Sequence, residues 1–107
     1  MWASDNLILS RAFGIGRKEF GEFYLGTKDR SIALIDWKFG QIPKDFVAYT
    51  YYVEPKGFKQ VRVRDWKFVS RASVGVVKVE PYLLRPFLLK HYEISELTTR
   101  KITARVN

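Results

Sequence analysis

From residue 46 to residue 54 the side chains alternate. Val47, Tyr49, Tyr51 and Val53 fall on one side of the chain, and Ala48, Thr50, Tyr52 and Glu54 on the other. A period of two belongs to a strand, because successive side chains of extended backbone point to opposite faces. Glu54-Pro55-Lys56-Gly57 then reads as a turn, since proline presets φ and glycine supplies a positive one. The same grammar runs through the middle of the chain. Strand-like runs at Phe20–Leu25, Ser31–Phe39, Phe58–Ser70 and Val74–Glu80 are separated by Gly26–Arg30, Gly40–Asp45 and the Pro55 turn. Eight Phe, six Tyr and three Trp in 107 residues suit a pleated surface, where flat rings pack well. These features predict a mainly β (α+β) fold, with about five strands in one antiparallel sheet or a small barrel.

The two ends break the period. After Pro81, residues Leu84, Phe87, Leu88 and His91 share one helical stripe, with Ile94 three residues on. Proline is tolerated only in a helix's first turn. The spacing therefore predicts a C-terminal helix from near Pro86 to about Leu97. At the other end, residues 1–13 read as a short helix capped by Ser4 and ended by Gly14, or as an arm that docks elsewhere. Residues 98–107 alternate Ile102, Ala104 and Val106 with Lys101, Thr103 and Arg105, which suits a last strand or a tail. With no repeat and no linker composition, residues 1–107 read as a single β-rich domain.

Several chemistries find no support. There is no cysteine, so disulfides and thiol chemistry are out. His91 is the sole histidine and has no second nitrogen or sulfur ligand to share a transition metal with. Gly14-Ile15-Gly16 opens like a dinucleotide loop, but Glu19 stands at the third glycine position. Gly16 and Gly21 have phosphate-loop spacing but are followed by Glu22 and Phe23. Nothing in the sequence gives Ser70 or Ser73 a base, and Glu93 with Glu96 reads as a solvated face. The expectation is a protein that is not an enzyme, with no cofactor and no metal. The longest apolar run, Tyr82–Leu89, is broken by Arg85 and Pro86 and falls short of a membrane span. Residues 1–13 lack the basic start of a signal peptide. The expected location is the cytoplasm, or a particle assembled there.

Charge carries the functional reading. The net charge is +8. Residues 1–55 hold seven basic and seven acidic side chains, whereas residues 56–107 hold twelve basic and four acidic ones. Lys56, Lys59, Arg62, Arg64, Lys67 and Arg71 are opposed within their segment only by Asp65. A concentrated positive field attracts phosphate backbones and other polyanions. If residues 58–70 form one strand, Arg62, Arg64, Trp66 and Phe68 share a face, with Val61, Val63 and Val69 on the other. Guanidiniums beside exposed rings suit single-stranded nucleic acid, where cations meet phosphates and rings stack on bases. The same spacing also suits a core in which Trp66 and Phe68 are buried and the arginines snorkel at its edge. A bulge near Asp65 would turn the two halves apart. Tyr49 and Tyr51 form a second candidate surface.

The expected function is non-catalytic binding of nucleic acid, single-stranded DNA or RNA before duplex. No helix-turn-helix, zinc finger or basic zipper is present. The site would be Lys56, Lys59, Arg62, Arg64, Trp66, Lys67, Phe68 and Arg71. The alternative is a structural subunit of a larger assembly or homo-oligomer, such as a virion or ribonucleoprotein particle, since Tyr, Trp and Arg also suit protein interfaces. A binder of anionic lipid or of acidic protein is a third reading.

Overall fold

The computed structural model describes residues 1–16, 22–26, 28–61 and 64–97, with side chains at all of these except 64–66. Among the described residues the chain is mainly β, with eight strands and two α-helices. The strands do not join into one sheet, and no barrel closes. Three small sheets form instead. The chain divides into two compact units, residues 1–14 with 48–82 and residues 15–47 with 83–107.

In the first unit, β1 (Trp2–Ala3) leads into α1 (Leu7–Ala12). The helix expected near the N-terminus is present, but its cap is Asn6 rather than Ser4. The Asn6 Oδ1 accepts a hydrogen bond from the Leu9 backbone N–H at 3.1 Å, while the Ser4 hydroxyl accepts one from Asn6 N–H, also at 3.1 Å. Trp2 and Ala3 are committed to β1, so the helix starts later than the serine suggests. β4 (Val47–Val53) follows the alternation read from the sequence, with Ala48 and Thr50 buried and Tyr49 and Tyr51 exposed.

The long run 58–70 is not one strand. It forms β5 (Lys59–Val61) and β6 (Arg64–Val69), which pair with each other antiparallel. β1 lies along the other edge of β6, with Trp2 opposite Val69 and Ala3 opposite Phe68. The N-terminal ammonium donates to Ser70 O at 3.0 Å, and Ser70 N–H donates to Met1 O at 2.9 Å. β7 (Val76–Leu83) pairs with β4 in a two-stranded ribbon. Glu54 N–H bonds to Gly75 O at one end and Leu84 N–H to Phe46 O at the other, so the two strands run antiparallel. β7 runs straight through Pro81, because a ribbon edge tolerates a missing donor.

In the second unit, β2 (Glu22–Leu25) and β3 (Ser31–Ile35) form a hairpin closed by Gly26 N–H to Ser31 O at 2.8 Å. A Cβ at Gly26 would run into the Asp29 carboxylate and the Ser31 hydroxyl, so a larger residue there would have to push those side chains aside. Two hydrogen bonds from Ser31 to that carboxylate, from its hydroxyl and its N–H, hold the Asp29 pKa below the ordinary value. β3 ends at Ile35, because the φ of +56° at Asp36 leaves the extended region, so it is shorter than the run to Phe39 suggests.

α2 (Leu84–His91) contains Pro86 in its first turn, where no intrahelical donor is lost. It ends at His91, six residues before the end implied by the stripe. Glu93–Leu97 is instead β8, which pairs parallel with β3. Ile94 is therefore a strand residue. The core of this unit is formed by Ile15, Ile32, Leu34, Ile35, Trp37, Ile42, Leu84, Leu88 and Tyr92. The terminal alternation at 98–107 lies outside the described residues.

Candidate functional site

The expected site residues lie in the first unit, around the β5–β6 hairpin. Lys56 is exposed in a tight turn closed by Phe58 N–H to Pro55 O at 3.2 Å. Gly57 takes φ +86° in that turn, and a Cβ there would meet the Ser70 hydroxyl at 3.4 Å. That contact puts the Lys56 turn beside the end of β6. Lys59 opens β5 and is exposed, as is Arg71 just beyond β6. Arg64 opens β6 and Trp66 lies within it, but their side chains, and Arg62 altogether, fall outside the described residues.

Register decides which side chains share a face. Lys59 and Trp2 both pair with Val69 from opposite sides of β6, so all three point the same way. Lys67, two residues before Val69, joins them. Its Nζ stands 5.9 Å from the centre of the Trp2 ring, within cation–π range. Phe13 meets that ring edge-on, with centroids 4.7 Å apart and planes at 73°. Trp2 as a whole keeps 42% of its surface exposed. Phe68, half-buried, pairs with Ala3 and Gln60 on the reverse face.

On this face of the β1–β6–β5 sheet, the cations and the ring brought together among the described residues are Lys59, Lys67 and Trp2. Between Gln60 and Val61 the register shifts, so that three residues of β6, 65–67, stand against a single step of β5. Counting by twos from Arg64 to Phe68 does not carry across such an irregularity. Sequence reasoning missed Trp2, because its place on this face comes from pairing with a strand more than sixty residues away. The one local signal was a tryptophan in a segment read as a docking arm.

Beneath the neighbouring ribbon lies a polar cluster. Arg11 Nε donates to the Thr50 hydroxyl at 2.9 Å, and its guanidinium pairs with Glu80 and sits 5.1 Å from the centre of the Tyr82 ring. Lys78 Nζ is 3.1 Å from the other Glu80 oxygen. The Lys78 hydrogen bond and charge, with the charge of Arg11, hold the Glu80 pKa below its ordinary value.

Two of the shallow depressions among the described residues lie in the second unit. One, of about 440 Å³, is lined by Phe39, Leu89, Tyr92, Ile94 and Glu96, and the Glu96 carboxylate accepts from Phe39 N–H at 2.7 Å. The other, of about 290 Å³, lies between Asp29, Arg30, Lys90, His91, Tyr92 and Glu93. The His91 ring rests against Phe87 at 4.7 Å. Glu93 and Glu96 are strand residues three apart, so they project to opposite faces of β8. Among the described residues no group of three acidic or histidine side chains gathers at metal-binding distance, and no helix is long and apolar enough to cross a membrane.

Comparison with protein-family models, with curated proteins and with solved structures finds no match.

Proposed function

We propose that this protein binds nucleic acid, single-stranded DNA or RNA in preference to duplex, without catalysis. The observation that carries the reading is the face of the β1–β6–β5 sheet on which the indole of half-exposed Trp2 lies under Lys67 and across from Lys59. Lys56 and Arg71 stand exposed at the end of the same sheet. An indole offers a stacking surface that every base can use, worth roughly 1–3 kcal/mol per stacked base. Lysines beside it meet the phosphates that such a base brings along and release their counterions. Arg62, Arg64 and Trp66 belong to the proposal by their chemistry and their position in the sequence, while Phe68 lies on the reverse face of the sheet.

The test is anisotropy of a fluorescein-labelled oligonucleotide. Lys59→Glu with Lys67→Glu should weaken binding at least about tenfold, because two attractions become repulsions. Arg62→Ala with Trp66→Ala should remove most of the affinity. If both double variants keep their circular dichroism and bind as the parent does, the site is wrong. If the parent protein binds no polynucleotide at low salt, the function is wrong.

A further inference from the structure

The β4–β7 ribbon shows its two faces very differently. On the inner face, Thr50, Glu80 and Tyr82 are held by Arg11. That network fixes the parity of both strands. The residues of opposite parity are left outside: Tyr49 is 55% and Tyr51 61% exposed, with Val77 at 67% and Val79 at 47% on β7. These four bear no charge. The two tyrosines contribute little to the core, so folding does not account for large rings at both positions.

Spacing and charge indicate an occupant. Two residues along an antiparallel strand advance about 6.8 Å. That is twice the roughly 3.4 Å step between stacked nucleotides of one strand in a duplex. Paired, stacked bases cannot present a face to each ring, but a drawn-out single strand can. Phosphates need cations beyond the neutral patch. Lys56 follows Tyr51 by five residues, at most about 17 Å of chain, and it stands beside the Lys59 and Arg71 end of the neighbouring sheet.

We propose that Tyr49 and Tyr51 are a stacking site for two unpaired bases of a single-stranded nucleic acid whose phosphates run toward Lys56. The proposal rests on the nucleic-acid reading above and extends it to a second surface.

The experiment compares a labelled single-stranded 12-mer, an abasic 12-mer of equal charge and a duplex, each titrated with the full chain. Tyr49→Ala with Tyr51→Ala should weaken binding of the single strand about thirtyfold or more. The same variant should leave the abasic strand and the duplex within twofold of the parent. Tyr49→Phe with Tyr51→Phe should bind like the parent, since stacking needs the ring and not the hydroxyl. On the parent protein, the single strand should shield Tyr49 and Tyr51 from nitration, a readout that needs no variant. If the alanine variant loses nothing while Lys59→Glu with Lys67→Glu loses binding, the stacking site is overturned and the nucleic-acid reading stands. Equal loss on the abasic strand, or nitration unaffected by the oligonucleotide, also overturns it. Light scattering that shows a dimer for the parent and a monomer for the alanine variant would assign the face to a second copy of the chain instead.

Discussion

Arg11 reaches three partners from one turn of α1: the Thr50 hydroxyl on β4, the Glu80 carboxylate on β7 and the face of the Tyr82 ring. Its own carbonyl also accepts the Tyr82 hydroxyl. Thr50 is 7% exposed, so its hydroxyl loses a buried partner when the guanidinium goes. Arg11→Ala is expected to lower stability by about 1–3 kcal/mol, the usual cost of leaving buried polar groups unmatched, and urea titration would measure it. Glu80 adds a pH dependence whose sign follows from its surroundings. Lys78 first, and then Arg11, favours the charged carboxylate, so the folded protein holds the Glu80 proton less readily than the unfolded chain does. That contribution is complete above the unfolded value near 4.5 and is lost as the pH falls through the lowered folded value. Glu80→Gln should therefore flatten the loss of stability on acidification through that window. Urea midpoints measured at several acidic pH values check this, and an unchanged acid limb would show that the ion pairs are too well solvated to matter.

Elements differ in how much of their own cause lies in nearby sequence. β4 was legible because its alternation is local and the Pro55–Gly57 turn follows it. α1 was legible to within two residues of its cap. The hairpin β5–β6 was not. Val61 and Arg64 pair across a stretch with no glycine, proline or asparagine to announce a reversal. β8 was hidden for a different reason. Ile94 continues the stripe of α2, yet Glu93–Leu97 finds a partner in β3, sixty residues upstream, and a pairing that distant leaves no local trace. The candidate site divides the same way. Its cations could be read from charge, while Trp2 entered only through β1 pairing with β6. α2 itself is anchored by Leu84 and Leu88, one turn apart and both fully buried. Leu88→Ala should cost about 2–5 kcal/mol through lost burial and the cavity left behind. Chemical denaturation would read that loss. A cost under about 1 kcal/mol would mean that α2 is not held by its buried stripe.

Across the whole molecule the charge is shared in a way the linear chain conceals. The second half of the sequence carries all of the +8, but folding redistributes it. Residues 1–14 and 48–82 hold eight basic and four acidic side chains, and residues 15–47 and 83–107 hold eleven and seven, so each unit carries +4. Apolar burial is not shared. Among the described residues the six largest fully buried side chains, Ile15, Ile32, Leu34, Ile42, Leu84 and Leu88, all belong to the second unit. The first unit encloses Leu9, Ala12, Ala48, Thr50 and Ser70 and leaves its rings and cations at the surface. This asymmetry makes the first unit the better place for a binding face and gives the salt dependence a definite size. If binding is local to the first unit, Lys56, Lys59, Lys67 and Arg71 neutralise about four phosphates, and the slope of log K against log salt should lie near −3 for a single strand. If the full +8 acted together, the slope would approach −6. Lys56→Glu with Lys59→Glu should then flatten the local slope by about 1.4 or more. Lys28→Glu with Lys90→Glu, which alters the second unit by the same amount of charge, should leave it within error. Equal flattening by the two pairs would mean that the polyanion responds to net charge alone, and the localised face built on Trp2 would lose its support.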